Sequence, residues 1–242
     1  MDNKVIANLF RKAVHVALVT LAMLPLLRPE LLKPLPLNLE EFYAIALIVA
    51  AAVNSVQVKK KLLGREFLTR LSEARERLMK EFYRYSNKPS IKELLFAVER
   101  SMRRFDNFLI RQLELVERDY ERRGGYLGLT LGAIGIMTSY ILFGKYSLYG
   151  MISLAVTDPI ANVVGESIGK LKLPGTNATL EGSLAGLAAC LLALVVLGVD
   201  PLSSLLVAFV SSLAEAYGIE DNLTIPLLAS LTSWWLRLGI PI

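Results

Sequence analysis

Histidine and cysteine are almost missing from these 242 residues: the chain has one of each, His15 and Cys190. A single cysteine excludes a disulfide framework and any cysteine-built metal site. A single histidine excludes a histidine metal cluster and makes a Ser-His-Asp triad unpersuasive. Soluble nucleotide signatures are lacking too. Gly165-Glu166-Ser167-Ile168-Gly169-Lys170 falls one residue short of a phosphate-binding loop, Leu171 stands where a Ser or Thr belongs, and no strand pattern precedes it. There is no dinucleotide fingerprint, internal repeat or low-complexity segment.

What the chain has is apolar length. Its hydrophobic content of 54% and mean hydropathy of +0.47 exceed those of an ordinary soluble domain. Apolar runs of about 20 residues suffice to cross a bilayer. A first span is expected from near Val5 to just before Pro29. It has the outline of a signal peptide, but Arg28-Pro29-Glu30 follows in place of a small-residue cleavage site, so it reads as retained. Further spans are expected at Glu41–Val58, Tyr126–Phe143, Tyr146–Gly165, Gly182–Gly198, Leu202–Tyr217 and Leu223–Leu238, with Asp200-Pro201 as a tight turn. The expected fold is an all-α polytopic membrane protein of about seven transmembrane helices plus a cytoplasmic helical hairpin. Its parts are 1–58 (spans one and two), 59–123 (the hairpin) and 124–242 (spans three to seven).

Residues 59–123 are dense in charge and helical in pattern, broken at Asn87-Lys88-Pro89-Ser90, where Ser90 and Glu93 read as a capping box. Two helices of roughly 27 and 33 residues would form an antiparallel hairpin. Its seam is expected to use Phe67, Leu71, Leu78 and Phe82 on one arm, with Leu95, Met102, Phe105, Leu109, Leu113 and Val116 on the other. A long amphipathic hairpin also invites a homodimer.

The net charge of +5 sits in basic residues beside apolar spans, which favours a lipid surface or an anionic substrate over nucleic acid. With the N-terminus inside, the inner face takes 23 Lys and Arg residues and the outer face takes Arg28, Lys33, Lys145 and Arg237. This sidedness brings every unusual polar residue to the cytoplasmic face. Arg11, Lys12 and His15 lie at the inner end of the first span. Asp158, Asn162 and Glu166 recur every four residues on one helix face, ahead of a loop holding Lys170, Lys172, Pro174 and Glu181. Glu215, Glu220, Asp221 and Asn222 lie at the inner end of the sixth span and the start of the seventh. A carboxylate within a span faces protein interior or water and favours function over packing. Cations that grip phosphate and carboxylates that hold Mg²⁺ are the parts of a phosphoryl-transfer site. Simpler readings exist for some of these: Arg11 and Lys12 as topology anchors, Glu181-Gly182-Ser183 as a helix cap, and Gly128/Gly132, Gly165/Gly169 and Gly182/Gly186 as helix-packing surfaces.

Taken in order, these clusters resemble the CTP-dependent lipid kinases: dolichol kinase, phytol kinase and the CTP-using diacylglycerol kinase. The matching positions are Arg11, Lys12 and His15 for an early Arg-Lys-x-x-His, and Asp158 with Gly165 for an Asp followed seven residues on by Gly. Gly169, Lys172 and Pro174 match the loop, Glu181-Gly182-Ser183 its exit, and Glu215 with Asp221, Asn222 and Pro226 the closing element. The chain departs from the family at Thr157, where Gly is usual, and at Glu166 and Ala178, where a basic residue is common. Lys170 or Lys172 would then supply the missing charge.

The resemblance implies a membrane phosphotransferase that moves the terminal phosphate of CTP to the hydroxyl of a membrane lipid alcohol. It implies that Arg11, Lys12, Gly165, Lys170, Lys172, Gly182, Ser183 and Asn222 bind nucleotide. Asp158, Glu181, Glu215 and Asp221 would hold Mg²⁺, and Asp158, His15 and Glu181 would act in catalysis, His15 or Asp158 accepting the hydroxyl proton. Two other readings stay open: a cytidylyltransferase making a CDP-lipid, and a non-catalytic membrane scaffold working through 59–123.

Overall fold

The computed structural model describes residues 3–59, 63–85, 96–107 and 127–239. Among these the chain is all-helical apart from a single β-bridge, Lys172 to Thr179. The helices are α1 (Asn3–Leu27), α2 (Leu39–Lys59), α3 (Leu63–Tyr85), α4 (Leu127–Phe143), α5 (Ser147–Ile168), α6 (Leu180–Val196), α7 (Pro201–Tyr217) and α8 (Asp221–Trp235). Residues 96–107 are also helical. The chain divides into two compact units, Arg11–Asn54 with Tyr126–Ile242, and Met1–Phe10 with Ser55–Gly125.

Among the described residues, three helical stretches are long and apolar enough to cross a membrane: Asn8–Leu27, Leu39–Val58 and the 42-residue Leu127–Ile168. The last of these holds two helices, because Gly144 takes a positive φ of 55° between α4 and α5. Leu180–Val196 and Pro201–Tyr217 are apolar but shorter. Outward-facing side chains such as Leu21, Ile48, Ile141, Leu192 and Leu202 are exposed, the surface expected of helices solvated by lipid. Helix starts follow local chemistry. Asn38 and Glu41 cap each other's backbone amides at 2.8 Å and begin α2 two residues ahead of Glu41. Asp200 accepts from Ser203 N at 2.9 Å, with Pro201 in the first turn of α7.

α5 is the axis of the first unit. It packs on α4, α6, α7 and α8, and its apolar residues belong to both hydrophobic clusters. Leu148, Tyr149 and Ile152 meet Cys190, Leu194, Val207 and Ala229, while Met151 and Leu154 meet Val19, Tyr43, Ile136 and Ile225. Small residues allow the close approach. A Cβ on Gly182 would stand 2.5 Å from the Ala161 carbonyl and 3.0 Å from Gly165 Cα, so α6 can lie against α5 only with glycine there.

The second unit corrects the expected seam. The faces of α3 and residues 96–107 that meet are polar: Arg75 pairs with Asp106, and Arg103 Nη2 lies 3.3 Å from Glu76 Oε1 and 2.6 Å from Glu99 Oε1. Hydrogen bonding from Arg75 holds the Asp106 carboxyl below its ordinary range. Leu71, Leu78, Met102 and Phe105, expected inside, are between 42% and 59% exposed. The charged side chains satisfy one another across the pair, which leaves the apolar stripes facing outward. The Ser90–Glu93 capping box and the side chains of Phe67, Phe82, Leu95, Leu109, Leu113 and Val116 lie outside the described residues.

Candidate active site

The site starts from the four-residue spacing on α5. Asp158 is 4% exposed, one turn ahead of Asn162, whose Nδ2 donates to Asp158 Oδ1 at 2.8 Å and to its main-chain carbonyl at 3.0 Å. Pro159 follows directly and removes the N–H that would bond the carbonyl one turn back, loosening the helix at this point. Glu166, third in the series, is exposed.

α1 supplies the countercharge. Lys12 is buried, and its Nζ donates to Asp158 Oδ1 at 2.7 Å. One turn along α1, His15 places Nε2 3.7 Å from Asp158 Oδ2. Nε2 has no hydrogen-bond partner among the described residues. Val19, a further turn along, is buried in the core, so Lys12, His15 and Val19 mark the inward stripe of α1. Arg11 is half-buried beside them.

The α7–α8 junction adds a third group. Glu215 is half-buried and feels the charges of Asp221, Asp158 and Lys12. Glu215 Oε2 and Asn222 Oδ1 are buried atoms without a hydrogen-bond partner among the described residues. Gly128 and Gly132 on α4 make room for Asn222, since a Cβ on Gly128 would meet its Nδ2 at 3.0 Å. Pro226 deprives the Asn222 carbonyl of its usual donor one turn on.

The α5–α6 loop is organised separately. Leu173 N bonds Ala178 O, Leu180 N bonds Leu171 O, and Thr179 caps α6 by accepting from Gly182 N at 3.2 Å. That cap belongs to Thr179 and not to the Glu181-Gly182-Ser183 run. Glu181 instead reaches back across the loop, its oxygens 3.3 and 3.2 Å from Leu171 N. Its carboxyl is held below the ordinary range by its own backbone amide first; desolvation opposes this, and the Lys170 and Leu171 amides and the Lys170 charge add smaller lowering effects. Lys170 and Lys172 are exposed. Gly165 and Gly182 form the α5–α6 contact, and Ser183 is buried beside it with its hydroxyl unpartnered among the described residues.

The structure therefore brings together Lys12, His15, Asp158 and Asn162, with Glu215 in range of the Lys12, Asp158 and Asp221 charges, and sets Asn222 against α4. It sets Glu181, Lys170 and Lys172 on the loop that follows α5. Sequence reasoning passed over Thr179 and the buried Thr157 hydroxyl, which also lacks a partner among the described residues. The Thr-x-x-Gly spacing before an apolar run was the available signal for the cap.

Among the described residues no three His, Cys, Asp or Glu side chains form a ready-made metal group. Asp158 Oδ2, Glu215 Oε2 and Asn222 Oδ1 are separately oxygens of the kind a hard cation takes one or two at a time, its shell being completed by substrate phosphates and water.

Fold and site together define an all-helical membrane protein with a buried ion pair between α1 and α5 and further carboxylates at the α7–α8 junction. Its sequence is similar to that of dolichol kinase from Saccharomyces cerevisiae, with 30% identity over 112 residues. The match takes in 43% of this chain and 17% of the length of the yeast protein. No protein-family model and no solved structure matches the chain.

Proposed function

We propose that the chain is a CTP-dependent kinase of a membrane lipid alcohol, a polyprenol or dolichol-like lipid, with seven membrane crossings and its N-terminus and site on the cytoplasmic side. The buried Lys12–Asp158 pair carries the reading, with His15 and Asn162 set around it inside an apolar bundle. Such a cluster is costly in an apolar surrounding and is retained where it acts. The similarity to dolichol kinase points the same way.

In this reading Lys12 and Arg11 bind the phosphates of CTP, and Lys170 and Lys172 draw the anionic nucleotide to the loop. Asp158, Glu215 and Asp221, with Asn222, are the residues that would hold Mg²⁺, which when bound neutralises phosphate charge. Glu181 keeps the loop in shape. The lipid hydroxyl attacks the γ-phosphorus as the bond to the β–γ bridging oxygen breaks. His15 Nε2 takes the hydroxyl proton, and CDP leaves. The lipid reaches the site sideways between helices.

The test is turnover of purified chain in detergent with Mg²⁺, a mixed prenol and diacylglycerol pool, and CTP labelled at the γ-phosphate. Label in the organic-extractable lipid is expected, and Asp158→Asn removes it. Labelled pyrophosphate would replace the kinase with a cytidylyltransferase. No turnover with any nucleotide would overturn the enzymatic reading and leave the scaffold.

A further inference from the structure

The pair formed by α3 and residues 96–107 has an apolar side that stays exposed among the described residues, and we infer that this side lies in the headgroup layer of an anionic bilayer.

Its geometry is set by the polar seam. A step forward on α3, from Arg75 to Glu76, is met by a step back on the second helix, from Asp106 to Arg103, so the two run antiparallel. On α3 the seam residues Ser72, Arg75, Glu76 and Met79 are half-buried, and Leu71 and Leu78 lie about 100° round the helix from them at 3.6 residues per turn. On the second helix Val98, Met102 and Phe105 lie about 100° from Glu99, Arg103 and Asp106, in the same rotational sense seen from its own N-terminus. Equal rotations on antiparallel helices turn both stripes to one side of the pair. That side carries Leu71 at 53%, Leu78 at 57%, Val98 at 38%, Met102 at 42% and Phe105 at 59% exposure.

Charge selects the occupant. Arg70 and Arg77 follow Leu71 and Leu78 round the outer flank of α3, which also carries Glu81, and Arg104 occupies the outer flank of the second helix; the three arginines are exposed. Residues 59–123 hold 18 Lys and Arg against 11 Asp and Glu, whereas the rest of the chain holds 9 against 11. A second copy of this unit would bring an equally cationic rim against the first. An anionic lipid surface complements it, since arginine stems cover the apolar edge while the guanidinium groups reach phosphate. The segment also follows directly from α2, itself apolar and long enough to cross a bilayer. A lipid surface is therefore within reach of the chain by covalent continuity alone.

The experiment uses the full chain, one copy per nanodisc, with a bimane fluorophore on Phe105→Cys or, as a control on the opposite helix face, Asn107→Cys. Cys190 is buried and escapes labelling. In phosphatidylglycerol-containing discs with brominated acyl chains, the probe at 105 is quenched and the probe at 107 is not. Replacing Arg70, Arg77 and Arg104 by Gln lowers the bound-to-free ratio by roughly fivefold for each arginine. Quenching is weaker in discs of phosphatidylcholine alone. Equal accessibility of both probes to an aqueous quencher would overturn the inference. So would a Phe105 probe shielded from lipid that cross-links to a second copy in discs loaded with two. None of these readouts depends on turnover, so they stand or fall apart from the kinase reading.

Discussion

Lys12 Nζ lies 2.7 Å from Asp158 Oδ1, joining residues 146 positions apart into one ion pair whose side chains are 10% and 5% exposed. Two charges this dry are stable only together. Asn162 supplies a second donor to the same carboxylate oxygen, and His15 stands on the side of the other.

Lys12→Met or Asp158→Leu alone leaves an uncompensated buried charge and destabilises the bundle by about 3–5 kcal/mol. The double variant recovers most of that loss but does not recover turnover. Denaturant unfolding in detergent completes the double-mutant cycle. Additive losses in the two single variants would show that the residues act independently.

His15→Gln keeps a polar side chain of similar reach but removes the proton acceptor. Phosphoryl transfer is expected to fall by about 10²–10⁴ in kcat, with KM for CTP little changed. Arg11→Gln shows the opposite pattern, a raised KM. Steady-state kinetics on both variants separates chemistry from nucleotide binding, and an unaltered kcat for His15→Gln removes it from the proton path.

Glu181 gives the α5–α6 loop a pH dependence of known sign. Its folded-state carboxyl is depressed, so its contribution is present above the unfolded-state value and is lost as pH falls through the lower folded value. Hydrogen exchange at the Leu171 amide should stay protected at neutral pH and open below about pH 4, the ordinary carboxylate range. In Glu181→Gln the protection is weaker and no longer varies across that window.

Gly182→Ala places a methyl 2.5 Å from the Ala161 carbonyl, where backbone cannot give way, and costs about 1–3 kcal/mol by forcing α5 and α6 apart. Gly239→Ala, with nothing within 4 Å of the new methyl, is the control and stays close to wild type. Thermal unfolding of the two variants side by side makes the comparison.

The apolar runs, the α2 and α7 boundaries and the turn at Gly144 rest on local chemistry, and the chain's order of residues determines them. Asn38 with Glu41 and Asp200 with Pro201 begin helices in any surroundings, because their partners are within three residues. The four-residue period of Asp158 and Asn162 likewise fixes their hydrogen bond. Only the tertiary structure decided that Lys12, and not the adjacent Arg11, turns inward to Asp158, since neighbouring residues lie about 100° apart on a helix and packing chooses between them. It decided that Glu181 closes its own loop and that the seam of α3 is ionic with leucines outside. The periodicity of apolar residues marks a stripe on each helix. It does not say what the stripe faces, because that depends on which surface, protein or lipid, the folded chain brings against it.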